Sequence, residues 1–492
     1  MRQAGSATIE AAKRAEPSRW ELSSLRPTAI FIAIFGVAAL AYSYRLGTDP
    51  LGASEAFSAW SAAKPGIGAI ARTPVLEEPG KFLFYYAALH YYTRIFGLSE
   101  VSIRSMSVIL SLTTLALVYA LGREMFDDGT ALAAAAMWAF NPLAVVFAHT
   151  ARMYPMIMAL ALAQLLMLWR IRMRPRASLA VMCGIAGAAL LYTHMGGILF
   201  IGAALAMLAR DYVRGLRNPM GWLAMGVTLV LFVPYVPVLR AQSETMISGH
   251  WLDWIGTAHE SPLWVKVAAA LGAAAVAAWF VFRASDRDEQ FHWLAAWTIL
   301  PGLVLAAGSI AVHPMFNLRY VAPSLATFAL LLAAGVARAS VKWRNLMAAG
   351  FALVCLIVLP FDQTAPQPWP ELAAQVAGQG GSSEPVFFES GFVSSDSAPS
   401  VPNGGFPFGF YSIPFDYYFK GSNPRIPIPG FDSAAARVTI GERVSAAGGG
   451  WLVSWKDRDS VKSELPDPKR FITVEKYRGD RLGLYRITPI GR

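Results

Sequence analysis

Apolar runs of about a membrane span in length follow one another through most of this chain, separated by short loops that carry arginine. Crossing roughly 30 Å of hydrocarbon takes about twenty apolar residues in a helix, so such runs predict membrane spans. They fall near 27–44, 103–121, 130–148, 154–169, 177–193, 196–209, 220–239, 263–282, 291–312, 320–337 and 345–361, eleven in all. The composition agrees. Of 492 residues, 55% are hydrophobic and 15% charged, more apolar surface than a soluble chain of this length can hide. The prediction is a polytopic α-helical membrane protein.

Loop charge sets the orientation. "RIRMRPR" (170–176), "RDYVRGLR" (210–217), "RASDR" (283–287) and "RASVKWR" (338–344) are basic, which places them in the cytoplasm. This orientation accounts for the net charge of +10 better than nucleic-acid binding does, and no nucleic-acid partner is expected. The first run has no small-residue cleavage site after it, so it reads as a span rather than a signal peptide. Eleven spans put the tail 1–26 inside and the C-terminus outside. Residues 81–97 are about long enough to cross, but crossing would carry the four arginines of 170–176 to the far side. With Phe82, Phe84, Tyr85, Tyr86, Tyr91 and Tyr92, this segment reads as a juxtamembrane helix. Residues 45–102 then form one large external loop, with a second helix near 54–64. The two cysteines, Cys183 and Cys355, lie inside apolar runs and predict no disulfide.

The spans belong to a membrane domain over 27–361, and the composition changes after it. Residues 362–492 are rich in Gly, Pro, Ser and charge, and read as a soluble external α/β domain. A short helix is predicted at 371–378 and strands at 385–390, 450–455, 470–477 and 481–488, with an aromatic loop at 406–419.

On this topology the polar residues of the outer side need reasons of their own. Arg104, Arg152, Arg240 and Arg319 stand at outward span ends, as does His194, and His149 and Tyr154 flank Arg152. Asp49, Glu55, Glu77 and Glu78 lie in the first external loop. Taken singly, an arginine at a span end often snorkels, a helix-end histidine is usually a hydrogen-bonded interface residue, and loop carboxylates are usually solvated. Together, cations at headgroup depth suit a leaving phosphate, and a carboxylate nearby suits deprotonation of an incoming hydroxyl. No metal-ligand spacing and no phosphate-binding glycine loop occurs, so no cofactor is named; a divalent metal stays open.

At these residues the chain resembles the GT-C membrane glycosyltransferases of the bacterial mannosyl and aminoarabinosyl transferase group, related to the dolichyl-phosphate-mannose protein mannosyltransferases. "LGASEAFSAW" resembles the family's first-loop motif with its Asp-Glu pair, and "YYAALHYYTRIFGLSEVSIRSMSVI" its juxtamembrane helix and following span, with Arg104 at the matching arginine. "NPLAVVFAHTARMYPMIMAL" resembles the second loop through Arg152 and Tyr154, and "LYTHMGG" and "LRYVAPSLATFALLLA" fit later motifs through His194, Arg319 and Tyr320. The first acid of the pair is Ser54 here, and Glu55 remains.

The resemblance implies transfer of one sugar from a polyprenyl-phosphate donor to a hydroxyl of a lipid, glycan or protein, with inversion, on the outer face of a bacterial inner membrane. Glu55 is the expected general base, with Asp49 or Glu78 as substitutes. Arg152, Arg319 and Arg104 are expected to hold the phosphate, and Tyr154, Tyr320, His149 and His194 to shape the site. Two rival readings are an inactive relative that binds lipid or scaffolds a glycan-assembly complex, and a transporter of lipid-linked sugars. The change at Ser54 supports the first; the second lacks the inverted repeats such transporters show.

Overall fold

The computed structural model describes residues 19–72, 82–240, 289–311, 317–338, 367–390, 409–429, 433–454, 461, 465–478 and 482–491. Helix α1 (Arg19–Ser43) leads into a loop bearing the short helices α2 (Ala53–Ala62) and α3 (Ile67–Arg72). Then come α4 (Leu83–Phe96), α5 (Glu100–Met125), α6 (Asp128–Ala139), α7 (Pro142–His149), α8 (Tyr154–Met173), α9 (Ala177–Leu191), α10 (Gly197–Val213) and α11 (Pro219–Phe232). Beyond the next undescribed segment stand α12 (Glu289–Ala311), a 3-10 turn at Leu318–Val321, and α13 (Ala322–Arg338).

Helix starts are written locally. Ser99 caps α5 by accepting from Ser102 N, and Asp127 caps α6 by accepting from Thr130 N. Asn141 and Asn218 each cap a helix whose first residue is proline, where the missing N–H costs nothing. Asn141-Pro142 also breaks the expected span 130–148 into α6 and α7, which meet at 59°. Among the described residues six helices are long and apolar enough to cross a membrane, seven if this bent pair counts as one. The protein is thus a multi-pass membrane protein, but the count of eleven is not what these residues hold. α9 and α10 have 15 and 17 residues, a rise of about 22 and 25 Å, short of the hydrocarbon core. The expected spans 263–282 and 345–361 lie outside the described residues.

The helices pack through small residues, as they must where lipid removes the usual hydrophobic drive. A Cβ on Gly122 of α5 would stand 2.6 Å from Ala131 Cα of α6, and one on Gly187 of α9 only 2.5 Å from Thr228 Oγ1 of α11. α4 has 14 residues, too short to cross. It buries Tyr85, Tyr86, Leu89 and His90 while exposing Tyr91, Ile95 and Phe96, the division expected of a helix lying along an interface. Its N-terminus is tied to the end of α9, where Phe82 N and Phe84 N donate to Thr193 O and Tyr192 O.

The C-terminal residues form a five-stranded mixed sheet of order β2-β1-β3-β5-β4. It follows α14 (Trp369–Gln379) and comprises β1 (Val386–Ser390), α15 (Gly409–Tyr418), β2 (Arg425–Pro429), α16 (Ser433–Ala447), β3 (Gly450–Ser454), β4 (Phe471–Arg478) and β5 (Gly483–Pro489). Four strands and α14 stand where alternation predicted them. β2 and α16 were not foreseen; two prolines disguise β2, and its edge position in the sheet tolerates them. The stretch 406–419, expected as a loop, is helical from Gly409 despite Pro414. Burying Phe415 against Phe388 and Phe419, with ring centroids 5.3 and 4.8 Å apart, overrides the local turn signals.

Candidate functional site

The first loop is fastened by one closed ion pair. Arg104, on the first turns of α5, is 5% exposed, and Glu55, in the first turn of α2, is 7% exposed. The guanidinium grips the carboxylate as a fork, Nε to Oε1 at 2.9 Å and Nη2 to Oε2 at 2.7 Å. Its remaining donors go to loop carbonyls: Nη1 to Leu46 at 3.0 Å and Asp49 at 2.8 Å, and Nη2 to Pro50 at 3.1 Å. A guanidinium has five N–H groups, and all five are used. The carboxylate is equally full: Oε1 also accepts from Ala151 N at 2.9 Å, and Oε2 from Gly52 N at 3.1 Å, which caps α2.

This geometry bears on two expectations. Glu55 has no lone pair left for a substrate proton, and Arg104 has no donor left for a phosphate. They are a staple between loop, span and the turn after α7. Phe57 of α2 is buried, with its ring 6.1 Å from that of Tyr86.

The turn "AHTARMYPM" closes on this staple. Besides Ala151 N, its Thr150 carbonyl accepts from Ser107 Oγ at 2.8 Å, and Arg152 Nη1 donates to Ser54 O at 2.9 Å. Arg152 is 3% exposed. That bond fixes where the guanidinium lies. Ser54, where the family pattern has an acid, is thus the carbonyl that positions this arginine.

Beyond Arg152 the sequence-predicted residues converge. Tyr154, buried at the start of α8, has its ring centroid 6.2 Å from that of His194, and His194 lies 4.9 Å from Tyr320. The exposed Arg319 sets its guanidinium 5.9 Å from the centre of the Tyr154 ring. His194 is fully buried at the end of α9, and its Nδ1 accepts from Gly196 N at 2.8 Å, which leaves Nε2 as the protonated nitrogen of the neutral ring. His149 is half-buried and leans instead on the backbone of Ala41 and Tyr42, so it serves the junction with α1.

Of the three carboxylates expected as bases, Glu78 lies outside the described residues, as does Glu77. Asp49 is exposed, and it is close enough to Arg104 and His149 to act electrostatically on both. Arg240 is exposed at the end of the helix that continues α11. Among the described residues no group of three or more His, Cys, Asp and Glu side chains could hold a metal ion.

Two residues at the site's edge had no sequence signal. Tyr418, which ends α15, accepts from Leu51 N and donates to Glu100, while Gln367 accepts from Ala53 N. More than three hundred residues separate each pair of partners, and no local pattern reports such contacts. Nearby, burial pushes the Tyr417 phenol up to about 12, with the Glu100 carboxylate adding and Arg104 opposing. Burial also raises the Asp416 carboxyl, against the pull of Arg425.

Residues 80–237 match the family described as Dolichyl-phosphate-mannose-protein mannosyltransferase. Among solved structures the chain is similar to ArnT from Cupriavidus metallidurans bound to undecaprenyl phosphate, with 14% identity, a TM-score of 0.58, and 92% of this chain and 97% of that one covered. The same protein in the apo state gives 15% identity and a TM-score of 0.49, covering 94% and 98%. The Archaeoglobus fulgidus oligosaccharyltransferase AglB, in complex with an inhibitory peptide and a dolichol-phosphate, gives 12% identity and a TM-score of 0.44, covering 86% and 69%. No curated protein sequence matches. Residues 80–237 thus match that family, and the fold of the chain is similar to that of ArnT.

Proposed function

We propose that the protein transfers a single sugar from a polyprenyl-phosphate donor to a hydroxyl of a lipid, glycan or protein, with inversion, at the outer face of a bacterial inner membrane. In this reading residues 1–26 are cytoplasmic, 27–361 form the membrane domain with the loop 45–102 outside, and 362–492 form an external domain. The observation that carries the function is the convergence of Arg152, Arg319, Tyr154, His194 and Tyr320 beside the stapled first loop. Two guanidiniums at this end of the bundle suit a phosphate.

Chemically, the acceptor oxygen attacks the anomeric carbon as the bond from that carbon to the phosphate oxygen breaks. The electron pair leaves with the polyprenyl phosphate, whose growing charge Arg152 and Arg319 stabilise. The acceptor's proton passes to a carboxylate. With Glu55 saturated, Asp49 is the acid assigned to that part, being exposed in the same loop. The undecaprenyl phosphate bound by ArnT supports a lipid phosphate as the donor class.

The test is a panel of radiolabelled polyprenyl-phosphate sugars offered to the purified protein with membrane lipid and glycan acceptors. One donor is expected to be consumed, and Asp49→Asn to slow its consumption by about 10²- to 10⁴-fold. An Asp49→Asn protein that turns over at the parent rate removes the base assignment. Donor binding without turnover by the parent would favour an inactive, lipid-binding relative, a reading that Ser54 and the saturated Glu55 also fit.

A further inference from the structure

The loop that Arg104 grips from one side is gripped from the other by the C-terminal region. Arg104 takes the carbonyls of Leu46, Asp49 and Pro50. Two amides just after them are held from the other side. Leu51 N donates to Tyr418 Oη at 2.7 Å, and Ala53 N to Gln367 Oε1 at 2.9 Å. Each of those acceptors is itself anchored. Tyr418 Oη donates to Glu100 Oε1 at 3.1 Å, one turn before Arg104 on α5, and Gln367 Oε1 also accepts from Trp369 Nε1 at 2.9 Å, where Trp369 is fully buried beneath the sheet. Burial and the Glu100 carboxylate both push the Tyr418 phenol upward, against the Leu51 amide. It therefore stays protonated at neutral pH and keeps donating to Glu100.

Residues 46–53 thus have their carbonyls held by the membrane helix and their amides held by residues beyond the matched family segment 80–237. Asp49 sits between the two sets of bonds, and Arg152 hangs on Ser54 just after them. We propose that Tyr418 and Gln367 are positioning residues for sugar transfer: they fix the loop bearing Asp49 and the carbonyl of Ser54, making the C-terminal region part of the transfer site. The catalytic consequence rests on the function proposed above; the grip on the loop does not.

Tyr418→Phe keeps the ring and removes only the hydroxyl, and Gln367→Ala removes the oxygen that accepts from both Ala53 N and Trp369 Nε1. The full-length protein, its Tyr418→Phe and Gln367→Ala variants and the double variant are compared in nanodiscs by amide hydrogen exchange. Loss of one hydrogen bond is worth about a factor of ten in local opening. Exchange within 46–53 is therefore expected to quicken about tenfold in each single variant and further in the double, with α5 beyond residue 110 unchanged. In the sugar-transfer assay kcat should fall about tenfold while KM for the lipid donor and the thermal midpoint hold. Unchanged exchange at 46–53, or faster exchange spread over the whole chain, would overturn the grip. Looser exchange with an unaltered kcat would overturn the positioning role. A parent without turnover overturns the sugar-transfer reading and the positioning role with it, while the exchange arm still decides whether these two residues hold the loop.

Discussion

Arginines gather at both ends of this helix bundle, and the two ends treat them differently. At the end of the basic loops they meet carboxylates. Arg172 Nε bonds Asp211 Oδ2 at 2.8 Å, and Arg172 and Arg214 both pair with Glu289. Arg210, with no exposed surface, lies 3.4 Å from the Asp211 carboxylate, and Arg170 pairs with Glu124. Three of these arginines share two acids, so most of the charge is cancelled where it is buried. At the first-loop end one arginine, Arg104, is cancelled by Glu55, while Arg152 is held by a carbonyl and Arg319 stands over a ring. One end is thus built as a closed structural network. The other sets Arg152 on the Ser54 carbonyl and Arg319 over the Tyr154 ring, beside His194 and Tyr320, and is the end proposed to take the phosphate.

Three substitutions would break or sharpen this contrast, in falling order of effect. Glu55→Gln puts an amide N–H against donors from Arg104, Ala151 and Gly52, leaving a buried cation uncompensated. It is expected to lower stability by about 3–5 kcal/mol, read as a fall in the thermal midpoint in detergent. A Glu55→Gln protein as stable as the parent yet inactive would return Glu55 to the catalytic role that its motif suggested. Next, Arg319→Lys keeps the charge but loses the planar fork. Affinity for a polyprenyl phosphate, measured by titration, should drop about tenfold with the midpoint nearly constant. An unaltered affinity would make Arg319 a snorkelling residue and weaken the assignment of this end as the phosphate site. The smallest effect is expected at Arg170→Gln, which removes an exposed pair with Glu124 at the opposite end. Its cost should be about 1 kcal/mol or less, with lipid-phosphate affinity intact. A large loss of affinity there would erase the distinction between the two ends.

The membrane character, the helix positions and their starts were legible because they depend on local facts: run length, proline, and capping residues such as Ser99, Asp127, Asn141 and Asn218. The family resemblance was also legible, since its motifs are local strings, and with it the residues around Arg152, Tyr154, His194, Arg319 and Tyr320. Span number was less so. Asn141-Pro142 divides one apolar run, and α9 is shorter than the run that predicted it.

What each polar residue does was decided in three dimensions. From its motif Glu55 reads as a base; only the fold shows four donors converging on two oxygens. From its position Arg104 reads as a phosphate ligand; only the fold shows that five carbonyl and carboxylate acceptors already fill it. The hold of Tyr418 on Leu51 and Glu100 is invisible to any window along the chain. The physical reason is the range of the forces. Helix formation and membrane partition sum over neighbouring residues, so sequence alone determines them. Whether a charged group is spent on structure or left open to a ligand depends on every donor and acceptor within about 3 Å, and those arrive from distant parts of the chain.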